Sequence, residues 1–294
     1  MLSPLKVWNN LFIFHNIILQ ELNKIIISVL LFTNVWIISC NAQEPKIVSN
    51  ADLKEVLDTP IQVKLLIKYY DKVVGFKNNQ LIFEDGSTLI YDDELKEKSI
   101  TQLLNNPDIE DQFLYKYPIE NFNNPISKNQ DPGRIRNEEF FKKIYGTSAK
   151  EVRSNLVEVV WCPNLVNQKI LVTKINGVAE KIKKISAELD KIPQYKKYIQ
   201  KIGGTFIWRN IKGTNRLSMH SFGMTIDINT NYSNYWQWDC KCTDENKSLQ
   251  HKNQIPKEII EIFEKYGFIW GGKWYHYDTM HFEYRPELID NSKV

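Results

Sequence analysis

The sequence predicts a chain of mixed helices and strands, on three observations. Two stretches carry apolar residues at helical spacing, several short segments alternate apolar and polar residues as half-buried strands do, and turn-forming residues stand between them. Leu171, Ile175, Val178, Ile182, Ile185 and Leu189 recur at steps of four and three, marking one helix face that Pro193 terminates. Lys174, Lys181, Lys183, Lys184 and Lys191 occupy its other sides, as on the exposed side of a core helix or, less often, on a membrane-surface helix. A second helix is predicted from Pro256 through Ile259, Ile260 and Phe263 to Gly267, with proline inside its start and glycine just past its end. Val73–Phe76, Leu81–Phe83 and Thr88–Tyr91 read as short strands, with Asn78-Asn79 and Asp85-Gly86 between them as hairpin turns.

Composition excludes more than it identifies. The 294 residues are 43% hydrophobic with 12 Gly and 11 Pro, which rules out collagen-like, low-complexity and wholly disordered chains. A balance of 38 basic against 35 acidic residues gives no case for nucleic-acid binding, which needs a concentrated positive surface. From Leu81 to Glu120 ten acidic residues face three basic ones, read as a solvated face. Four cysteines are too few for a disulfide scaffold.

The N-terminus bears on the compartment. Apolar residues cluster from Leu11 to Leu19 and from Ile25 to Ile38, with polar Gln20 to Lys24 between them. Lys24, the second run and the small residues around Ser39-Cys40-Asn41-Ala42 make residues 1–42 a secretory signal. That run is short for a spanning helix, which needs roughly 20 apolar residues, although a signal anchor from Leu11 to Ile38 is the alternative. Ile37-Ile38-Ser39-Cys40 resembles a bacterial lipobox, which would place lipid on Cys40; cleavage after Ala42 is the other reading. Residues 43–150 are expected to form a mostly-β accessory region ending in a linker, Asn121 to Arg136, and residues 151–294 the domain that carries chemistry. Cys162, Cys240 and Cys242 then allow at most one intramolecular bridge, and the one-residue spacing of the last two is not that of a zinc knuckle.

Two of the five histidines sit in informative settings. After Ser218-Met219-His220, Gly223 permits a tight turn into an alternating segment where Met224, Ile226 and Ile228 point one way and Asp227 the other. In Asp278-Thr279-Met280-His281-Phe282-Glu283, His281 and Glu283 share a strand face, with Asp278 one turn upstream. His220, Asp227 and His281 thus offer two imidazoles and a carboxylate, the ligand set of a catalytic zinc with its fourth position kept for water. Such a zinc lowers the pKa of water from 15.7 to roughly 7. Asp278 is suited to move the proton. Each residue alone has a blander reading, a hydrogen-bonded core histidine or a turn aspartate; the combination is what is specific. His276, two residues before Asp278, is a rival ligand expected to face away.

Gly203-Gly204-Thr205-Phe206-Ile207-Trp208-Arg209, Ser218-x-His220-x-x-Gly223-x-x-x-Asp227 and Asp278-x-x-His281 together resemble the M15 family of zinc peptidases, over about residues 150 to 287. The branch they resemble holds bacterial D-alanyl-D-alanine carboxypeptidases and L-alanyl-D-glutamate endopeptidases. The resemblance implies an α+β fold, with helices packed on an antiparallel sheet in the manner of the hedgehog-like zinc peptidases, and cleavage of peptidoglycan stem peptides. It matches His220, Asp227 and His281 to the zinc ligands, Asp278 to the general base and Arg209 to a catalytic arginine that can stabilise an oxyanion. Arg216 is a helper or a surface residue, Ser218 a residue that orients the loop or His220, and Trp274 either a cleft wall or aromatic packing. Thr225 departs from the family's usual alanine and is close in size. The insertion from Asn229 to Gln254 closes one end of the cleft or is an inert loop.

The expectation is therefore an exported, monomeric zinc peptidase of the bacterial envelope or periplasm, attached to the membrane through its signal or a lipid. The alternative is a non-catalytic, zinc-containing lipoprotein that binds the cell wall.

Overall fold

The computed structural model describes residues 59–119, 126–291 and 293. The expected signal segment, Cys40 and residues 121–125 of the expected linker lie outside the described residues. The described residues make one compact unit. Helix α1 (Ile61–Tyr69) is followed by strands β1 (Val73–Lys77), β2 (Gln80–Phe83) and β3 (Thr88–Ile90). Asn78 and Asn79 both adopt positive φ, which suits a two-residue hairpin turn between twisted strands. The antiparallel meander β1-β2-β3 pairs Phe76 with Leu81 and Leu81 with Leu89.

Helix α2 (Ile100–Asn105) starts on a capping box in which Ser99 and Gln102 satisfy each other's backbone N–H groups. Helix α3 (Glu138–Tyr145) is capped by Asn137, whose side chain accepts from Phe140 N at 2.9 Å, and buries Phe140, Phe141, Ile144 and Tyr145. The described part of the N-terminal region is thus a mixture of helices and a small sheet rather than mostly strand. Its acidic run is also not wholly solvated. Lys98 reaches Asp93, Asp108 and Asp111, and the last two are nearly buried.

Helix α4 (Ala149–Ser154) leads into the hairpin β4 (Leu156–Trp161) and β5 (Gln168–Thr173). Helix α5 spans Val178–Leu189, so the helix is shorter than its apolar spacing predicts. Leu171 belongs to β5 and is exposed, and Ile175 lies in a 3-10 turn. Asn176 and Gly177 take left-handed conformations there, so the helix cannot begin before Val178. The face formed by Val178, Ile182, Ile185 and Leu189 is buried as expected.

Short helix α6 (Lys196–Ile199) precedes β6 (Thr225–Asp227), α7 (Trp236–Cys240) and α8 (Lys257–Lys265). Pro256 caps α8 and Gly267 follows it with φ 87°, as the proline–glycine bracket predicts. Strands β7 (Phe268–Trp270) and β8 (His281–Tyr284) and helix α9 (Pro286–Asn291) complete the chain. The third sheet has the order β6-β8-β7, all antiparallel.

One hydrophobic core runs through both sides of position 150. It takes Val63, Leu66 and Phe140 from the N-terminal region, and Trp161, Ile182, Phe263 and Phe282 from the rest. Helix α1 packs against α9, and Tyr70 donates to Glu287 at 2.7 Å across that contact. Phe263 stacks on Phe282 at 3.8 Å between centroids, which fixes α8 against the central strand of the third sheet. No helix among the described residues is long and apolar enough to cross a membrane.

Candidate metal centre

Two local structures bring the site together. The first is the turn Met219–Phe222, held against the chain before it by Ser218 N donating to Arg209 O at 2.9 Å and by the Ser221 hydroxyl, which accepts from Arg209 N at 3.1 Å. The hydroxyl that ties this loop is therefore that of Ser221, while Ser218 contributes through its backbone. Gly223 then turns with φ 66°, and a Cβ there would come within 2.6 Å of Leu156. No other residue could make that turn without strain. The second is sheet register. Asp227 on β6 stands directly opposite His281 on β8, so both side chains leave the same face.

The outcome is one convergent group. His220 Nε2 lies 3.1 Å from Asp227 Oδ2, and His281 Nδ1 lies 3.0 Å from Asp227 Oδ1. The two rings are 5.2 Å apart, and the three ligand atoms all fall within 4.8 Å of one another. Tetrahedral zinc with bonds of 2.0–2.1 Å places its donors about 3.3 Å apart, so the spacing fits such an ion. Charge points the same way. Burial works against a charged His281, yet carboxylates at both ring nitrogens push its pKa up to about 10. A metal ion would replace the proton held between Nδ1 and Asp227.

Asp278 stands at the start of the turn into β8, where its carbonyl accepts from His281 N at 3.2 Å. Its Oδ1 is buried without a hydrogen-bond partner. Burial and the neighbouring Asp227 charge push its pKa up to about 6. An orphaned carboxylate oxygen beside two imidazoles and a carboxylate is the kind of polar vacancy that an ion and its water satisfy.

Sequence reasoning missed the support behind His281. Glu283 is fully buried and lies 3.2 Å from His281 Nε2, while Arg136 donates to it at 2.6 Å and Arg285 at 3.2 Å. Burial alone would protonate it, but Arg136, His281 and Arg285 together hold its carboxyl well below the usual range. An ionised Glu283 fixes the ring orientation that leaves Nδ1 toward Asp227. The shared strand face of residues 281 and 283 is a readable signal for this; nothing in the apparent linker marks Arg136.

The other candidates fall in definite places. His276 is held by Asp131 at 2.7 Å and by the Glu245 carbonyl at 3.0 Å, away from the convergent group. Trp274 is packing rather than an open cleft wall: its Nε1 donates to Pro132 O at 2.6 Å and its ring is buried 5.7 Å from that of His281. Arg209 is exposed, and its charge acts on Tyr235, whose backbone bridges to Asp278. Cys240 pairs with Cys242, and Cys162 is free and buried. In the 229–254 insertion, Trp236 packs on His276 at 4.8 Å and Glu245 pairs with Arg134, so these residues are built into the fold.

Fold and site together define a protein of helices and small antiparallel sheets with a His/Asp/His group able to hold a metal ion. The family model described as D-alanyl-D-alanine carboxypeptidase matches residues 212–284, so this stretch of the chain is similar to the M15 peptidases. The match contains His220, Asp227, Asp278, His281 and Glu283, and leaves out Arg209 and everything N-terminal to it. No curated protein and no solved structure matches the chain.

Proposed function

We propose that the chain is a zinc-dependent peptidase that hydrolyses a bond in peptidoglycan stem peptides. The observation that carries this is the convergence of His220, Asp227 and His281 beside the unpartnered oxygen of Asp278. His220, Asp227 and His281 would hold the ion, which when bound supplies a Lewis acid that makes water nucleophilic near neutral pH. Asp278 takes the proton of the attacking water on its free Oδ1 and returns it to the leaving amine, work that a carboxyl with a raised pKa performs well. Glu283 keeps His281 from rotating. Arg209 supplies positive charge to the tetrahedral oxyanion. Residues 1–42 would direct export to the envelope, with Cys40 as the lipid-bearing residue; an intact mass showing a mature, unacylated N-terminus at Gln43 would end that part.

The test is cleavage of purified peptidoglycan fragments with and without chelator, together with metal analysis. Chelator-sensitive cleavage and one zinc per chain are expected. Full cleavage by the His281→Ala protein overturns the reading.

A further inference from the structure

Two side chains back the ring of His281, and both are gripped by one residue that lies outside the family match. Arg136 meets Glu283 side-on, donating from Nη2 to Oε2 at 2.6 Å and from Nε to Oε1 at 3.3 Å. Oε2 is the oxygen that also faces His281 Nε2, at 3.2 Å. The same guanidinium lies over the ring of Trp274, 5.5 Å from its centroid, and that ring stands 5.7 Å from the imidazole of His281. Arg136 thus holds the charged neighbour of the ring by a two-point fork and the aromatic neighbour by its face.

Arg136 is delivered by a strap, residues 130–136, that runs beside residues 274–276 on the way to Asp278. Gln130 O accepts from Tyr275 N at 3.0 Å, Asp131 Oδ1 from His276 N at 2.8 Å, and Pro132 O from Trp274 Nε1 at 2.6 Å. Gly133 follows with φ 101°, so close to β7 that a Cβ there would come within 2.3 Å of Ile269. The strap is therefore fitted to the chain behind the centre, not merely passing it.

The surroundings of Arg136 leave it no other task. Its side chain is only 14% exposed, and Glu283 is its one ion-pair partner among the described residues. Arg285 also reaches Glu283, at 3.2 Å, but divides its charge with Glu287. Three arginines border the cavity of about 430 Å³ beside the His220 turn, and they are used differently. Arg134 pairs with Asp131 and Glu245, and Arg216 leaves its buried Nε without a hydrogen-bond partner. Arg136 alone of the three turns to a residue that touches the centre.

We propose that residues 130–136 are part of the metal centre and that Arg136 is a positioning residue. It sets how firmly His281 presents Nδ1 to the ion, acting through Glu283 and Trp274. This rests on the metal-binding part of the reading above. An imidazole free to swing about its Cβ–Cγ bond loses ligand geometry, and partners that hold the ring restore it. The family match therefore does not hold the whole centre; what looks like a linker in the sequence completes it.

Zinc affinity of the full chain, emptied by chelator and titrated against a zinc indicator, tests this without substrate. Arg136→Met, which keeps the stem and loses the fork, should bind zinc about 10–100-fold more weakly. Cobalt(II) bound in place of zinc should show shifted visible bands in that variant, because those bands report ligand geometry. Arg136→Lys keeps the charge without the fork and should recover only part of the loss. Arg134→Met removes a charge from the same strap, on pairs that do not reach His281, and should match the parent in both readouts. A folded Arg136→Met protein with the affinity and bands of the parent overturns the proposal. So does an Arg134→Met protein that loses as much affinity, since the loss would then come from loosening the strap. Should Arg136→Met not fold, Arg136→Lys decides, and affinity and bands equal to the parent's overturn the proposal. A parent that binds neither metal removes the reading on which this rests, whereas a parent that binds zinc whatever stands at position 136 removes this inference alone.

Discussion

Among the described residues, two groups have ligand atoms spaced as in a metal site, and only one of them has enclosed a lysine. Asp92, Asp93 and Asp108 bring ligand atoms as close together as His220, Asp227 and His281 do. In the first group the Lys98 ammonium sits 2.8 Å from Asp93 and 2.9 Å from Asp108. In the second the cationic role falls on His281, and Asp278 keeps an oxygen without a partner. Ligand count alone does not separate them. Charge balance does, because a carboxylate cluster that has enclosed a lysine has already repaid its desolvation.

The largest effects should come from removing what the second group lacks elsewhere. Asp278→Asn keeps the size of the side chain and removes the base, so kcat should fall by ~10²–10⁴-fold with zinc retained. His281→Ala should lose both zinc and activity, while Asp93→Ala changes neither. Metal content and steady-state kinetics of the three proteins check this; an Asp93→Ala chain without zinc would reverse the assignment. The reciprocal change is Lys98→Ala, which strands Asp108 and Asp111 and should cost about 3 kcal/mol in urea denaturation. That variant should regain stability on adding calcium, and the parent should not.

How much of this the sequence reveals depends on the range of the interaction. His220, Gly223 and Asp227 are legible because a glycine turn followed by alternation is local. That residues 227 and 281 would stand opposite each other is not, since strand pairing across 54 positions leaves no local mark. The same limit explains the overlong helix. Within β5, buried Ile170 and Val172 alternate with exposed Leu171, but Leu171 also falls in step with Ile175 and Val178. Helical spacing and strand alternation overlap there, and only the left-handed Asn176-Gly177 pair decides between them. Arg134 and Arg136 look like linker residues because their partners Glu245 and Glu283 lie more than a hundred positions away.

A smaller effect is expected from the support of the centre. Glu283→Gln keeps the shape of the side chain but removes the charge that orients His281, so zinc affinity should fall by ~10–100-fold. Competition with a zinc indicator measures it. Unchanged affinity in a folded variant would mean that Asp227 alone fixes the ring, and that Glu283 serves only Arg136 and Arg285.

The smallest effect tests the comparison on a third group, His276 between Asp131 and Glu245, which has the same residue types as the centre but includes Arg134. Burial would raise the Asp131 carboxyl, yet Arg134 and His276 outweigh it and hold the pKa at about 2. A folded pKa below the unfolded value of about 3.9 means stabilisation that is present above pH ~4 and lost as the pH falls toward 2. The stake is about 2.5 kcal/mol. Asp131→Asn retains an acceptor for the His276 N–H, which Asp131 Oδ1 now meets at 2.8 Å, but loses the charge facing Arg134. Its stability at pH 7 should be lower by about that amount, and the gap from the parent should close between pH 4 and pH 2. Added zinc should leave both curves' difference unchanged, because Arg134 already supplies this group's cation. A gap that stays constant across the acid range would mean that packing, not charge, sets this group apart from the centre.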